Sequence, residues 1–405
     1  MKTQLSILSV LTIFSLFFFS CEKEADVITD IETGTEVTET VGANHAVAGE
    51  YIVVYKEDKS LYGKSEKLKV KYQQTLSKYA IQEGKIKHTY SNAIQGFHIT
   101  NLSEKQVEIL KDDPEIAYIQ PNYIKKLNIE VGEPVSELPT TVHNKAAVSD
   151  SWLPSGDYLP WGINRVGRAD GTGRTCWIID TGISPHSDLN IDTSRSRSVI
   201  GGSWEDQNGH GTHVAGTVAA KYNGSGVIGV AYGATVVSVK VLAADGSGTT
   251  ETILSGVDYV TANARNGDTW NYSIAYLEPY VDNAVDNAFR NLERVAHGAM
   301  AAGNSNDGTQ YYSPQRLLTG RSWCVGNMTS TDSPAYGSCY GESVDRWAPG
   351  TDVWSTWLNG QYNIITGTSM ASPHVAGILL LRGNSTGTDG SISKGGYAAP
   401  IATLN

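Results

Sequence analysis

The stretch Gly367-Thr368-Ser369-Met370-Ala371-Ser372-Pro373-His374-Val375-Ala376-Gly377 constrains this chain more than any other part of it. A Gly-Thr pair followed by small and apolar residues places Ser369 at the N-terminus of a buried helix. Free backbone N–H groups and the helix dipole there favour negative charge beside the hydroxyl. That suits a nucleophile whose reaction builds an oxyanion. A lone serine at this place also reads as an ordinary helix N-cap, so the decision rests on what accompanies it.

Two upstream segments carry complementary chemistry. Cys176-Trp177-Ile178-Ile179-Asp180-Thr181-Gly182 reads as a buried strand that stops at an acid and a turn glycine. The carboxyl end of a strand is where functional groups gather in open α/β sheets. Asn208-Gly209-His210-Gly211-Thr212-His213-Val214-Ala215-Gly216 reads as a glycine-flanked histidine entering a tightly packed helix. Each has a plain structural explanation alone, as a turn acid or a capping histidine. Together they supply what peptide hydrolysis needs: a base for the hydroxyl proton and a carboxylate to orient that base.

These three segments resemble the signatures of the subtilisin-like serine proteases, in which acid, base and nucleophile follow in the order Asp, His, Ser. Pro160-Trp161-Gly162, Tyr312-Ser313-Pro314 and Ala348-Pro349-Gly350 resemble the proteinase K and aqualysin branch. The resemblance implies Asp180 as orienting acid, His210 as general base and Ser369 as nucleophile. It makes Asn304 in Ala301-Ala302-Gly303-Asn304 the side-chain donor of the oxyanion hole. Ser273-Ile274-Ala275-Tyr276 takes the place of the family's Ser-Leu-Gly-Gly strand edge, with Ala301, Ala302 and Gly303 as the opposite wall of the pocket before the cut. Tyr276 replaces the last glycine, which implies medium apolar residues such as Leu or Ala over Phe and Tyr. The same likeness implies no cofactor for catalysis but a structural calcium, with Asp345 and the carbonyls of Gly320 and Ser322 as hard oxygen ligands. His213, three residues from His210 on the same helix, could face one metal with it, but no third ligand clusters nearby. The family carries this histidine as structural, and His374 reads as a helix residue near the site rather than part of it.

The composition bounds the partners. A net charge of −11, with no basic patch, argues against nucleic acid. Only the N-terminus could enter a membrane: Lys2 and the apolar run from Leu5 to Phe19 read as a signal peptide over 1–21. Ser20-Cys21 resembles a bacterial lipoprotein cleavage site, with Cys21 lipidated, although Phe18 stands where leucine is usual. Ordinary cleavage with Cys21 incidental is the alternative. Cys176 reads as a buried reduced thiol. Cys324 and Cys339 flank a turn-rich stretch, and the sequence leaves open whether they pair.

Residues 22–46 are rich in Glu, Asp and Thr and read as a solvated tether. Residues 47–127 give the order β-α-β-β-α-β of a ferredoxin-like module, with one helix over 60–82 and another opened by a capping box at Ser103. This module resembles the inhibitor-type prosegment of subtilases, which chaperones folding and then blocks the cleft. Residues 128–152 form a polar linker where the processing cut is expected, and 153–405 form the peptidase domain. From Pro160 onward strands alternate with helices, which predicts an α/β fold with a mainly parallel sheet covered on both faces. After Leu381 the Gly/Ser/Thr-rich chain departs from the family pattern. The expected protein is a secreted, monomeric, self-processing serine endopeptidase acting on proteins and peptides through an acyl-enzyme. The alternative is a catalytically silent relative that only binds peptides.

Overall fold

The strand Thr175–Asp180 shows why the main sheet is covered on both sides. Cys176 and Ile178 enter one core, whereas Trp177 and Ile179 enter the other, so successive side chains serve opposite faces. A run that is apolar at every position is what a doubly covered parallel strand requires. In the computed structural model, residues 46–82, 85–127, 130–131, 133–140, 149–275 and 278–405 are described. The signal segment, Cys21, most of the tether, Asn128, Ile129 and Tyr276 lie outside the described residues.

Edge to edge, the sheet runs Asn190–Ile191, Thr235–Lys240, Thr175–Asp180, Thr269–Tyr272, His297–Ala301, Ser322–Met328, Val344–Pro349, Tyr397–Thr403 and Gly387–Lys394. All neighbours are parallel except the last pair. Helices His210–Ala219 and Thr368–Arg382 pack on one face. Helices Thr250–Asn263 and Asn283–Leu292 pack on the other. This is the predicted α/β class. The C-terminal hairpin was not foreseen: its second strand joins the parallel sheet through Trp347 and Ile401.

Strands Ala46–Tyr55, Ile86–Tyr90, Gly96–Ile99 and Ile116–Lys126 form the antiparallel sheet of the N-terminal module, with helices Ser65–Lys78 and Glu104–Lys111. The capping box at Ser103 and Gln106 is present. The first helix is shorter than the expected 60–82. Lys59–Leu61 forms a separate 3-10 turn held by the Asp58 side chain, and Gly63 at φ +72° breaks the path. The polar linker is not a free tether where it is described. Glu130–Val131 pairs with Ile365 and Thr366, Val135 bridges Tyr362, and Ser151–Trp152 pairs with Tyr158–Leu159.

Cys176, Cys324 and Cys339 are all buried free thiols, and burial pushes each thiol's pKa up. No described helix is long and apolar enough to cross a membrane.

Candidate active site

Asp180 ends its strand at the carboxyl edge of the sheet and presents Oδ1 to His210 Nδ1 at 2.7 Å, both side chains fully buried. The histidine opens its helix because Asp206 and Asn208 order the preceding loop. Asp206 Oδ2 accepts the Thr212 N–H and hydroxyl, and Asn208 Oδ1 accepts the His210 N–H. Gly211 lets the helix end approach the aspartate strand, since a Cβ there would lie 2.2 Å from the Gly182 carbonyl oxygen. Gly209 combines φ +106° with a virtual Cβ 2.3 Å from Trp357. The glycines on either side of His210 are therefore geometric requirements.

Ser369 is the second residue of its helix and 4 % exposed. Its Oγ donates to the Ser273 carbonyl at 3.0 Å, and Ser273 Oγ donates back to the Ser369 carbonyl at 2.8 Å. Tyr272 pairs with Ile179, so Ser273 and Asp180 leave adjacent strands side by side. This sets Ser369 beside the Asp180–His210 pair. His210 Nε2 is buried with no partner among the described residues. The serine–imidazole bond is not made in this conformation, and such bonds commonly tighten only with substrate in place.

Asn304 follows the strand His297–Ala301 and meets the helix start. Its Oδ1 accepts both the backbone N–H and the hydroxyl of Thr368, each at 2.9 Å, and its amide nitrogen lies beside Gly367, 3.3 Å from where a Cβ would stand. Ala301, Ala302 and Ile274 are buried supports. Ala275 and Gly303 face each other: a Cβ on Gly303, which has φ +110°, would lie 3.6 Å from that of Ala275.

His213 and His374 are structural. His213 Nε2 lies 2.9 Å from the Val353 carbonyl, and burial pushes its pKa down to about 3. His374 Nδ1 lies 2.8 Å from the Met370 carbonyl, and burial lowers it to about 4. No cluster of three or more His, Cys, Asp or Glu residues suited to a metal occurs among the described residues.

The expected calcium residues do not group with these histidines. Asp345 Oδ2 accepts the Cys324 N–H at 2.8 Å, and desolvation pushes the carboxyl up to about 6. Arg346 turns elsewhere, donating to the Asp345 backbone carbonyl and to Thr386 while lying over Trp323. The Gly320 carbonyl accepts from Asn384 at 2.7 Å. Ser322 Oγ is buried with no partner among the described residues.

One functional edge was missed from sequence. Residues 124–126 of the N-terminal module pair antiparallel with Ser247–Thr249, and Leu127 N–H donates to the Gly246 carbonyl at 3.1 Å. The module is held on helices Thr250–Asn263 and Asn283–Leu292 as well. Asp258 accepts the N–H groups of Ser91, Asn92 and Ala93, and Asn291 donates to the Ala93 carbonyl. The Asp-Gly-Ser-Gly run at 245–248 has the composition of a turn, and nothing local marks it as an edge for another strand.

A serine at a helix start, a buried Asp–His pair and a side-chain amide at the same strand ends make an arrangement of the Ser-His-Asp type. Known proteins agree. Residues 171–385 match the subtilase family and residues 50–128 the family described as peptidase inhibitor I9. The chain is 35 % identical to alkaline serine exoprotease A of Vibrio alginolyticus, covering 83 % of this chain and 60 % of that protein. It is 33 % identical to proteinase R of Parengyodontium album, covering 82 % and 78 % respectively. It is 32 % identical to the extracellular serine proteinase of Thermus sp. (strain Rt41A), covering 90 % and 88 %. This chain belongs to the subtilase family of subtilisin-like serine endopeptidases, in its proteinase K branch, and carries an inhibitor-type prosegment.

Proposed function

We propose that the protein is a secreted serine endopeptidase that cuts its own prosegment before acting on other proteins. Ser369 Oγ attacks the scissile carbonyl and His210 Nε2 takes its proton. Asp180 holds the imidazole through Nδ1 and stabilises its charged form. The Asn304 amide and the Ser369 N–H receive the oxyanion. The tetrahedral intermediate collapses to an acyl-enzyme as His210 returns the proton to the leaving amine, and water reverses the sequence to release the acid. The observation that carries this reading is the 2.7 Å His210–Asp180 contact next to the start of the serine helix.

The path of the chain supports self-processing. It enters the cleft on Ser247–Thr249, ending with Leu127 on Gly246, and leaves it on Ile365 and Thr366, which pair with Val131 and Glu130. Strand Tyr362–Thr366 leads directly into Ser369. We take the bond attacked to lie between Leu127, where pairing with Gly246 ends, and Glu130, where pairing with Thr366 begins, and assign it to the middle one, Asn128–Ile129. Any lipid on Cys21 would stay on the prosegment side, so the released enzyme would be free of it.

Asp345, Gly320 and Ser322 suit calcium. The desolvated Asp345 carboxylate and the Gly320 and Ser322 carbonyls are oxygens that would suit a hard cation, the Ser322 hydroxyl, without a partner among the described residues, adds a further oxygen, and the ion's chemistry there would be structural. The close facing of Ala275 and Gly303 supports a slot for medium apolar residues before the cut; a peptide-library optimum at Phe contradicts that preference.

The test is the N-terminal sequence and intact mass of the secreted product from wild type and Ser369→Ala. Wild type should begin at Ile129 without lipid, or at a later residue only after trimming of a product beginning there. Ser369→Ala, made without other proteases, should remain full length. Normal processing of that variant contradicts the assignment.

A further inference from the structure

The prosegment tail carries a lysine into a place built for a cation. Along the tail, Ile124 and Lys126 are exposed while Lys125 is 3 % exposed, as the alternation of a strand paired on Ser247–Thr249 requires. Lys125 Nζ lies 3.2 Å from Asp282 Oδ2 and 5.6 Å from the centroid of the Tyr280 ring. Asp282 belongs to the peptidase domain and is fully buried in this state. Its Oδ2 also accepts the Thr250 hydroxyl at 2.8 Å, and its Oδ1 accepts the Val285 N–H at 3.1 Å as the N-cap of helix Asn283–Leu292. Gln120 of the prosegment adds a bond to Oδ1 at 2.8 Å.

When the prosegment leaves, Lys125 and Gln120 leave with it. Thr250, Val285 and the helix start stay, because they belong to the same domain as Asp282. The carboxylate thus keeps its orientation, while the cation it faced is gone. A substrate that adds a strand to Ser247–Thr249 in the same register directs one side chain to that carboxylate, as strand addition does with alternate side chains. A helix cap alone explains Asp282 Oδ1; it does not explain a buried ammonium and an aromatic face at Oδ2.

We propose that Asp282 is a specificity-determining residue of the mature enzyme, forming with Thr250 and Tyr280 an acidic subsite for Lys or Arg at the fourth position before the scissile bond. This rests on the protease reading and on the Asn128–Ile129 assignment. The tail then inhibits as a substrate would bind, with its own lysine in the subsite. A glutamate at that position meets Asp282 as a like charge in a desolvated setting, which costs more than a merely unfilled site.

The test uses processed enzyme and peptides spanning the tail sequence Tyr-Ile-X-Lys-Leu-Asn-Ile-Glu-Val, with X as Lys, Arg, Gln or Glu and the cut located by mass spectrometry. Lys and Arg should exceed Gln about tenfold in kcat/KM and Glu about a hundredfold or more. In Asp282→Asn, which preserves an N-cap, the Lys-to-Glu ratio should fall at least tenfold. Equal cleavage of Lys, Gln and Glu peptides by wild type, or an unchanged ratio in Asp282→Asn, refutes the acidic subsite while leaving the protease reading intact. Cleavage of none of the peptides contradicts both.

Discussion

The Asn304 side chain divides its two ends between structure and chemistry. Its Oδ1 fixes the Thr368 N–H and hydroxyl, and the Thr368 hydroxyl in turn accepts the Gly303 N–H at 3.0 Å. The serine helix and the loop carrying Asn304, the proposed oxyanion donor, are therefore locked to one another before substrate arrives, which is the preorganisation that electrostatic catalysis requires. Asn304→Ala should lower kcat roughly 100- to 1000-fold, the size known for loss of one oxyanion donor in subtilisin. Steady-state kinetics on a chromogenic peptide checks it, and a kcat within a few fold of wild type would show that Asn304 is not a donor. Asn304 was legible as a candidate in its local string, as were Asp180, His210 and Ser369, because each stands among the glycines and alanines that close packing at such a site would need. Asp282 was not. It reads locally as a helix cap, and only the tail from a distant part of the chain reveals its second face.

At the scale of elements, legibility followed the strength of the hydrophobic pattern. Thr175–Asp180 and the serine helix are apolar enough to be read directly. The hairpin of Gly387–Lys394 and Tyr397–Thr403 was not, since it buries few large side chains, Ile392 and Ile401 chief among them, within a Gly/Ser/Thr-rich run. It closes the edge of the sheet beyond Leu381, where the chain departs from the family pattern. In strand Val344–Pro349 the half-buried Asp345 carboxyl accepts the Cys324 N–H of the neighbouring strand. Calcium bound only by the folded state raises apparent stability with its concentration. Chelation should therefore lower the inactivation temperature of the processed enzyme by several degrees, and Asp345→Ala should abolish that dependence. Identical temperatures with chelator and with calcium would remove the site.

Across the whole molecule, burial of neutral histidines sets a limit on acid stability. His213 and His374 are held well below the ordinary histidine value by desolvation, to about 3 and about 4. The unfolded chain takes up their protons near pH 6.5, so their contribution is present above that pH and is lost as pH falls toward 4 or 3. Each should cost roughly 2 kcal/mol between pH 7 and pH 5. Urea unfolding of the Ser369→Ala chain, which cannot digest itself, should show the loss, with a smaller one in His374→Gln. A midpoint that does not change between those pH values contradicts it.

The prosegment and peptidase domain bind through a shared sheet edge, the Asp258-capped loop and the Lys125–Asp282 pair. The claim beneath all of this is that Ser369 is an activated nucleophile. A fluorophosphonate probe on the processed protein, followed by peptide mass mapping, tests it directly. The account predicts one adduct per molecule, on Ser369, lost in His210→Ala and absent in Ser369→Ala. No adduct on Ser369 in processed wild type, or equal labelling when His210 is removed, would contradict it.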